Sequence, residues 1–159
     1  MRLSARAHYA LRLMHEITQL GGTRQPVQLT QVARLTGISR RYLEQLVLAL
    51  KSHALLRGVC GRNGGYLLAR PASQITVGAV VEAAIGPINL SVCVGQPETC
   101  LRSDFCECRL VWLLLDQRIH EVLAEYSVAD LGNKPLLSAI RMQLQATHQA
   151  TRARRENSI

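Results

Sequence analysis

Aromatic side chains are scarce in this chain, with one Trp and one Phe among 159 residues, so its core must be built mostly from aliphatic groups. No run approaches the roughly 18 uninterrupted apolar residues that a membrane-spanning helix needs. The start of the chain does not read as a signal peptide either, because Arg6, His8, Arg12 and Glu16 interrupt any apolar stretch there. These absences predict a cytoplasmic protein with no membrane partner. Enzyme signatures are missing too. There is no phosphate loop, no catalytic carboxylate pair and no nucleophile–base motif, so an enzyme is not expected. Acidic residues are nearly absent from one half: Met1 to Val80 holds eleven Lys and Arg against two acids, while Val81 to Ile159 holds eight against nine.

What is present is enough to fold. Hydrophobic residues make up 48% of the chain, too many for a disordered polymer. The net charge of +8 is concentrated in the first half and carried mainly by arginine. That is the electrostatic footprint of a nucleic-acid-binding module joined to something else. Arginine also suits bidentate contacts to phosphate and guanine better than lysine does.

The pattern along the chain predicts a mainly α fold with one small β-hairpin. Ser4 can cap a first helix whose apolar positions Ala10, Leu13, Met14, Ile17 and Leu20 recur at three- and four-residue steps, and Gly21-Gly22 ends it. Thr30 is read as the cap of a second helix, Gln31 to Thr36, and Ser39 as the cap of a third running to about Lys51. Leu55 to Cys60 and Tyr66 to Ala69 read as strands around the glycine-rich tip Gly61-Arg62-Asn63-Gly64-Gly65. Thr76 can cap a short helix, Val77 to Ile85, which Gly86-Pro87 stops. After an irregular stretch comes a long helix from Arg109 to about Tyr126, with Leu110, Leu113, Leu114, Gln117, Val122 and Leu123 available for one wide face. Ser127 can cap a further turn, Val128 to Leu131. A last amphipathic helix spans Leu136 to about His148, and a basic tail follows.

The segment Leu29 to Leu50 has the pattern of a helix-turn-helix. Ala33 is small where the helices would cross, Gly37 supplies the turn, and Ser39 caps the second helix, whose first residues would face the major groove. Ser39, Arg40, Arg41, Tyr42, Glu44 and Gln45 are the candidate DNA contacts. Arginine can grip phosphate or read guanine, Gln can pair with adenine, and Glu repels phosphate but can accept from cytosine. The hairpin after it fits a wing, with Arg57 and Arg62 placed to approach the backbone or enter a minor groove. A helical hairpin alone would establish little; the basic half and the following wing favour DNA.

Cys93, Cys100, Cys106 and Cys108 fall within sixteen residues, spaced C-x6-C-x5-C-x-C, with Cys60 far away in the wing. Such clustering in a cytosolic chain favours metal or redox chemistry over a disulfide framework. The spacing is neither a zinc ribbon's nor a ferredoxin's, yet an irregular loop can still fold its thiolates inward. Residues two apart point in nearly opposite directions, so Cys106 and Cys108 should not both ligate one site easily. Cys93, Cys100 and Cys106 are the favoured ligands, with the fourth open. A thiol–disulfide or zinc switch without a cluster is the alternative.

Three stretches carry a family resemblance: Met1-Arg2-Leu3-Ser4 with Tyr9-Ala10-Leu11; Gly37-Ile38-Ser39 followed by Tyr42-Leu43-Glu44-Gln45-Leu46; and Gly64-Gly65-Tyr66-Leu67-Leu68 followed by Ile75-Thr76-Val77-Gly78. Together with the cysteine loop, Trp112 and Val128-Ala129-Asp130-Leu131, they resemble the IscR/NsrR-type regulators of the Rrf2 family. The resemblance implies a winged helix-turn-helix repressor acting as a homodimer on a pseudo-palindromic operator, its long helix packed against its mate. It also implies an iron–sulfur cluster on Cys93, Cys100 and Cys106, with 2Fe–2S favoured over 4Fe–4S, that reports iron–sulfur, redox or nitric oxide status. Two positions depart from the family pattern. Arg109 stands where IscR-like members have a histidine ligand, which leaves His8 (from a partner subunit) or Cys108 as the fourth donor, His8 being preferred. Cys60 stands where the wing usually has arginine, and Arg62 can take over that contact. The expected organisation is a DNA-binding domain over 1–86, a cysteine loop over 87–108, the dimerisation and C-terminal helices over 109–150, and a disordered basic tail over 151–159.

Overall fold

The computed structural model describes residues 4–102 and 105–156. Met1-Arg2-Leu3 of the family-like start, two positions of the cysteine loop and residues 157–159 of the tail lie outside the described residues. The fold is mainly helical with one two-stranded antiparallel hairpin. In order it has α1 (Ala5–Gln19), α2 (Leu29–Thr36), α3 (Arg40–Ser52), β1 (Leu56–Val59), β2 (Gly65–Leu68), α4 (Val77–Ile85), the single turn α5 (Val92–Gly95), α6 (Glu107–Glu125) and α7 (Lys134–Glu156). Among the described residues, no helix is long and apolar enough to cross a membrane.

Helices α1 to α4 and the hairpin enclose one aliphatic core. Helix α1 begins where Ser4 Oγ accepts from the Ala7 amide at 3.4 Å, and it buries Ala7, Ala10, Leu13, Met14 and Ile17. Helix α3 begins the same way, with Ser39 Oγ accepting from the Tyr42 amide at 3.3 Å, and it buries Leu43, Leu46, Val47 and Leu50 against α1. Thr76 Oγ1 caps α4 by accepting from the Ala79 amide. Full burial of each large aliphatic side chain contributes roughly 1.5–3 kcal/mol. Twelve large apolar side chains, all essentially sealed from solvent, belong to this core.

Helix α2 starts earlier than its sequence predicts. Thr30 is not its cap but lies inside the first turn, and Gln28 occupies the cap position without a side-chain bond. The cause is a non-local one. Val27 is held extended by a pair of backbone bonds to Tyr66, each 2.9 Å, so the chain turns into helix immediately afterwards and buries Leu29. The strands are one residue shorter at each outer end than expected, paired from Leu56↔Leu68 to Val59↔Gly65.

Beyond α4 the chain behaves differently. The stretch read as irregular contains α5 and a 3-10 turn at Pro97–Thr99. Helix α6 starts at Glu107 and has no buried residue along its length. Its contact with the rest of the chain is a narrow stripe of partly buried positions, Arg109, Leu113, Asp116, Ile119, His120 and Leu123. The wide face expected to include Leu110, Leu114 and Val122 is therefore split: Leu113 and Leu123 turn inward while those three stay exposed. After α6, Val128 and Ile75 are joined by a 2.8 Å backbone bond, as are Val77 and Tyr126. The turn at Asp130–Gly132 is held by the Asp130 carboxylate, which accepts from the Ser127 amide (2.8 Å) and hydroxyl (2.6 Å), rather than by a capping Ser127. Asn133 Oδ1 caps α7 by accepting from the Leu136 amide. Helix α7 then runs to Glu156 instead of ending near His148, so residues 151–156 of the expected disordered tail are helical; no glycine or proline interrupts them.

Candidate functional site

The helix-turn-helix is set by the link between α2 and α3. Gly37 has φ +70°, in the left-handed region where other residues are strained. Thr36, buried before it, donates its hydroxyl to the Val32 carbonyl at 2.8 Å and accepts from the Ile38 amide at 3.2 Å, which fixes the direction in which α3 leaves. Ser39, Arg40, Arg41, Glu44 and Gln45 are all exposed on the first turns of α3. Tyr42 is presented differently: it is half-buried, and its ring meets Tyr9 edge-on at 5.7 Å. Its packing ties α3 to α1.

Arg40 Nε donates to Glu44 Oε1 at 2.9 Å, with both side chains largely exposed. An i,i+4 pair of this kind is worth only about 0.3–0.5 kcal/mol. A phosphate or a base edge can therefore take Arg40 from Glu44 at little expense, and the pairing at rest keeps both groups over the same turn of helix.

The wing stands beside this surface. Val27 pairs with Tyr66 at its root, and Gly65 is required there because a Cβ would come within 2.5 Å of the Val27 carbonyl oxygen. Arg57 lies exposed on β1 and Arg62 exposed at the tip. Between α3 and the wing is a polar notch of about 230 Å³, lined by Gln28, Thr30, Arg40, Glu44, Arg62 and Tyr66 among others. The structure thus brings Arg40, Glu44 and Arg62 to one recess, with Arg57 on the adjoining strand. Gln28 and Thr30 were not anticipated there; the only signal in the sequence is their position directly before and within the first helix of the helix-turn-helix.

The cysteine loop is the second candidate. Cys93 lies in α5 and is half-buried, its Sγ 3.1 Å from Ser91 Oγ. Cys100 is exposed after the 3-10 turn, Cys106 is half-buried at the N-cap of α6, and Cys108 is exposed in the first turn of that helix. Cys60 is exposed in the wing, and all five thiols are free. His8 is exposed on α1 with its ring 5.5 Å from that of Tyr9. Among the described residues, no three His, Cys, Asp or Glu side chains come together as a metal site. The donor chemistry nevertheless fits an iron–sulfur cluster: Cys93, Cys100 and Cys106 are soft, unpaired donors on a segment with little regular structure, and metal binding commonly brings its own ordering.

Three residues hold this loop: Arg109, which the sequence marks only as a departure from the family pattern, and Asp116 and His120, which it does not single out. Arg109 Nε donates to the Cys93 carbonyl at 2.9 Å, Asp116 Oδ1 accepts from the Leu90 amide at 3.0 Å, and His120 Nε2 lies 3.0 Å from the Ile88 carbonyl. A carbonyl only accepts, so Nε2 carries the proton. The same imidazole has Asp116 Oδ2 at 3.5 Å and Glu82 Oε1 of α4 at 3.8 Å. The available signal was the placement of Arg109, Asp116 and His120 on one helical stripe.

Comparison with known proteins gives a consistent result. Residues 3–134 match the model of the Rrf2 family, described as an iron-dependent transcriptional regulator. The transcriptional regulator IscR of Sodalis glossinidius is 37% identical over 144 residues, covering 90% of this chain and 86% of that protein. IscR of Yersinia enterocolitica is 34% identical over 100% of this chain and 96% of its own. Among solved structures, CymR, the global cysteine regulator of B. subtilis, is similar with a TM-score of 0.71 at 27% identity, covering 84% of this chain and 97% of that one. IscR of T. potens is similar with a TM-score of 0.66 at 30% identity, covering 82% and 85%.

Proposed function

Because the chain belongs to the Rrf2 family of transcriptional regulators, IscR-like over its full length, we propose that it is a homodimeric repressor whose DNA affinity is set by an iron–sulfur cluster in its cysteine loop. The observation that carries this reading is that three free thiols, Cys93, Cys100 and Cys106, lead directly into a helix with six large apolar side chains left uncovered. Leu110, Val111, Trp112, Leu114, Leu115 and Val122 of α6 are all exposed. Covering what remains open of each is worth about 1 kcal/mol, so six from each of two copies give on the order of ten. That is the scale of the association cost, about 4–15 kcal/mol, and a second copy of α6 is the occupant the family points to.

In this reading Arg40, Arg41, Glu44 and Gln45 enter the major groove of one half-site while Arg57 and Arg62 approach the flanking backbone, and Ser39 fixes the start of the reading helix. Cys93, Cys100 and Cys106 hold the cluster, 2Fe–2S rather than 4Fe–4S, and the partner's α1 supplies the fourth donor at the position of His8, with Cys108 as the alternative. When bound, the cluster supplies iron-centred redox and ligand-exchange chemistry that oxidants or nitric oxide can alter. The chain's own part is mechanical. The loop changes how α6 sits against its mate, and α6 resets the separation of the two α3 helices. A coupling of roughly 1–3 kcal/mol changes affinity about 5- to 150-fold, enough to switch a promoter.

Protein purified without oxygen is expected to contain iron with matching acid-labile sulfide, both lost on changing Cys93, Cys100 or Cys106 to Ala. Zinc alone, or no metal, would overturn the cluster reading and leave DNA binding intact. Binding to an operator should weaken steeply with salt, and Arg41→Ala or Arg62→Ala, each removing one contact per subunit of the dimer, should lower the salt slope by about 2. An unchanged slope would remove that residue from the phosphate contacts.

A further inference from the structure

The inner stripe of α6 holds Arg109, Asp116 and His120 at positions where a helix packed on its own domain would carry leucine. Their partners lie in the reverse order along the preceding segment: Ile88 with His120, Leu90 with Asp116, Cys93 with Arg109. The first arm of the cysteine loop therefore runs antiparallel along α6, pinned at three places by side chains reaching its backbone. Asp116 is the most enclosed member of the His120 pair, its side chain 13% exposed against 40% for His120. A carboxylate so enclosed needs a hydrogen-bond donor, and the Leu90 amide is that donor.

We propose that Arg109, Asp116 and His120 are positioning residues that hold the Ile88–Cys93 arm on α6, so that a displacement of Cys93 is transmitted to α6. This rests on the reading of Cys93 as a cluster ligand. It also gives Arg109 a role where IscR-like relatives resembled here have a ligand: the guanidinium holds the Cys93 backbone instead of a metal. Glu82 Oε1 of α4 lies 3.8 Å from the other nitrogen of the same imidazole, so the pinned arm, α6 and α4 come together around His120.

The test is amide hydrogen exchange on metal-free full-length protein, followed by chelator-driven release of iron from protein loaded anaerobically. In Asp116→Ala the Leu90 amide and those of Val94 to Gln96 should exchange roughly 2- to 10-fold faster, with the α3 amides unchanged. Asp116→Asn, which keeps an acceptor oxygen, should restore the wild-type rate. Iron release should speed up in Asp116→Ala and Arg109→Met and be spared in Asp116→Asn. Should Asp116→Ala fail to fold, His120→Ala with His120→Gln as its conservative partner gives the same comparison. Unchanged exchange at Leu90, or acceleration shared equally with α3, overturns the proposal. Wild-type protein that takes up no iron and sulfide overturns the cluster reading alone, since the exchange comparison is unaffected by it.

Discussion

Leucines 43, 46 and 50 of α3 are sealed in the core, whereas leucines 110, 114 and 115 of α6 are exposed. The two helices differ in how much of their apolar surface their own chain covers. In α3 the chain's own core receives the apolar stripe and the charged residues Arg40, Arg41 and Glu44 face outward. In α6 the inward stripe mixes Leu113, Ile119 and Leu123 with Arg109, Asp116 and His120, while Leu110, Val111, Trp112, Leu114, Leu115 and Val122 face away. A helix folds onto whichever surface meets its apolar side, so α3 is complete within one chain and α6 is not. The first region buries its apolar stripe within the chain; the second leaves much of its apolar surface open, the surface that the proposed dimer would cover.

Breaking either region should separate them clearly. Leu43→Ala is expected to cost about 2–5 kcal/mol through a cavity in the sealed core, read by urea unfolding, whereas Leu110→Ala should cost the isolated fold under about 0.5 kcal/mol. Comparable losses at both positions would mean that α6 is covered within its own chain. A smaller effect on folding but a large one on assembly is expected from Leu114→Glu. It should weaken self-association by roughly two orders of magnitude while leaving the helical content of the DNA-binding half unchanged, as sedimentation and circular dichroism would report. The smallest effect concerns the turn after α6. The Ser127 hydroxyl, and then its amide, hold the Asp130 carboxyl below its ordinary value. A depressed acid stabilises the fold above its unfolded pKa, and that contribution is lost as pH falls through the lower folded value. The Ser127 amide resonance should therefore follow Asp130 only in acid, and Asp130→Asn should abolish that dependence.

Most of the DNA-binding half was legible because its signals are local. Ser4, Ser39 and Thr76 cap the helices that their spacing predicts, and Gly37 turns where the helix-turn-helix needs it. Thr30 misled because the start of α2 is decided by Tyr66, far along the chain. The face of α6 was misjudged for a related reason: periodicity shows that a stripe exists but not which stripe its own domain will take. The roles of Asp116 and His120 were invisible because their partners are backbone groups 26 and 32 residues away, which carry no sequence signature. The length of α7 was underestimated because polar, charged residues were taken for a tail, although they are good helix formers.

The paired backbone bonds joining Ile75 to Val128 and Val77 to Tyr126 have a mechanical consequence. They tie Thr76, at the start of α4, to Ser127, just past the end of α6. Helix α4 itself stays packed in the aliphatic core through Val80, Ala83 and Ala84, so the excursion runs from the end of α4 through the cysteine loop to the end of α6 and is held to the core at both ends. The cysteines sit at its far end, at the start of α6, and the bridge sits at its near end. In the proposed cluster-bound protein, a push applied at the thiols would act along the length of α6 and reach the strand-like joint that abuts the core carrying α3.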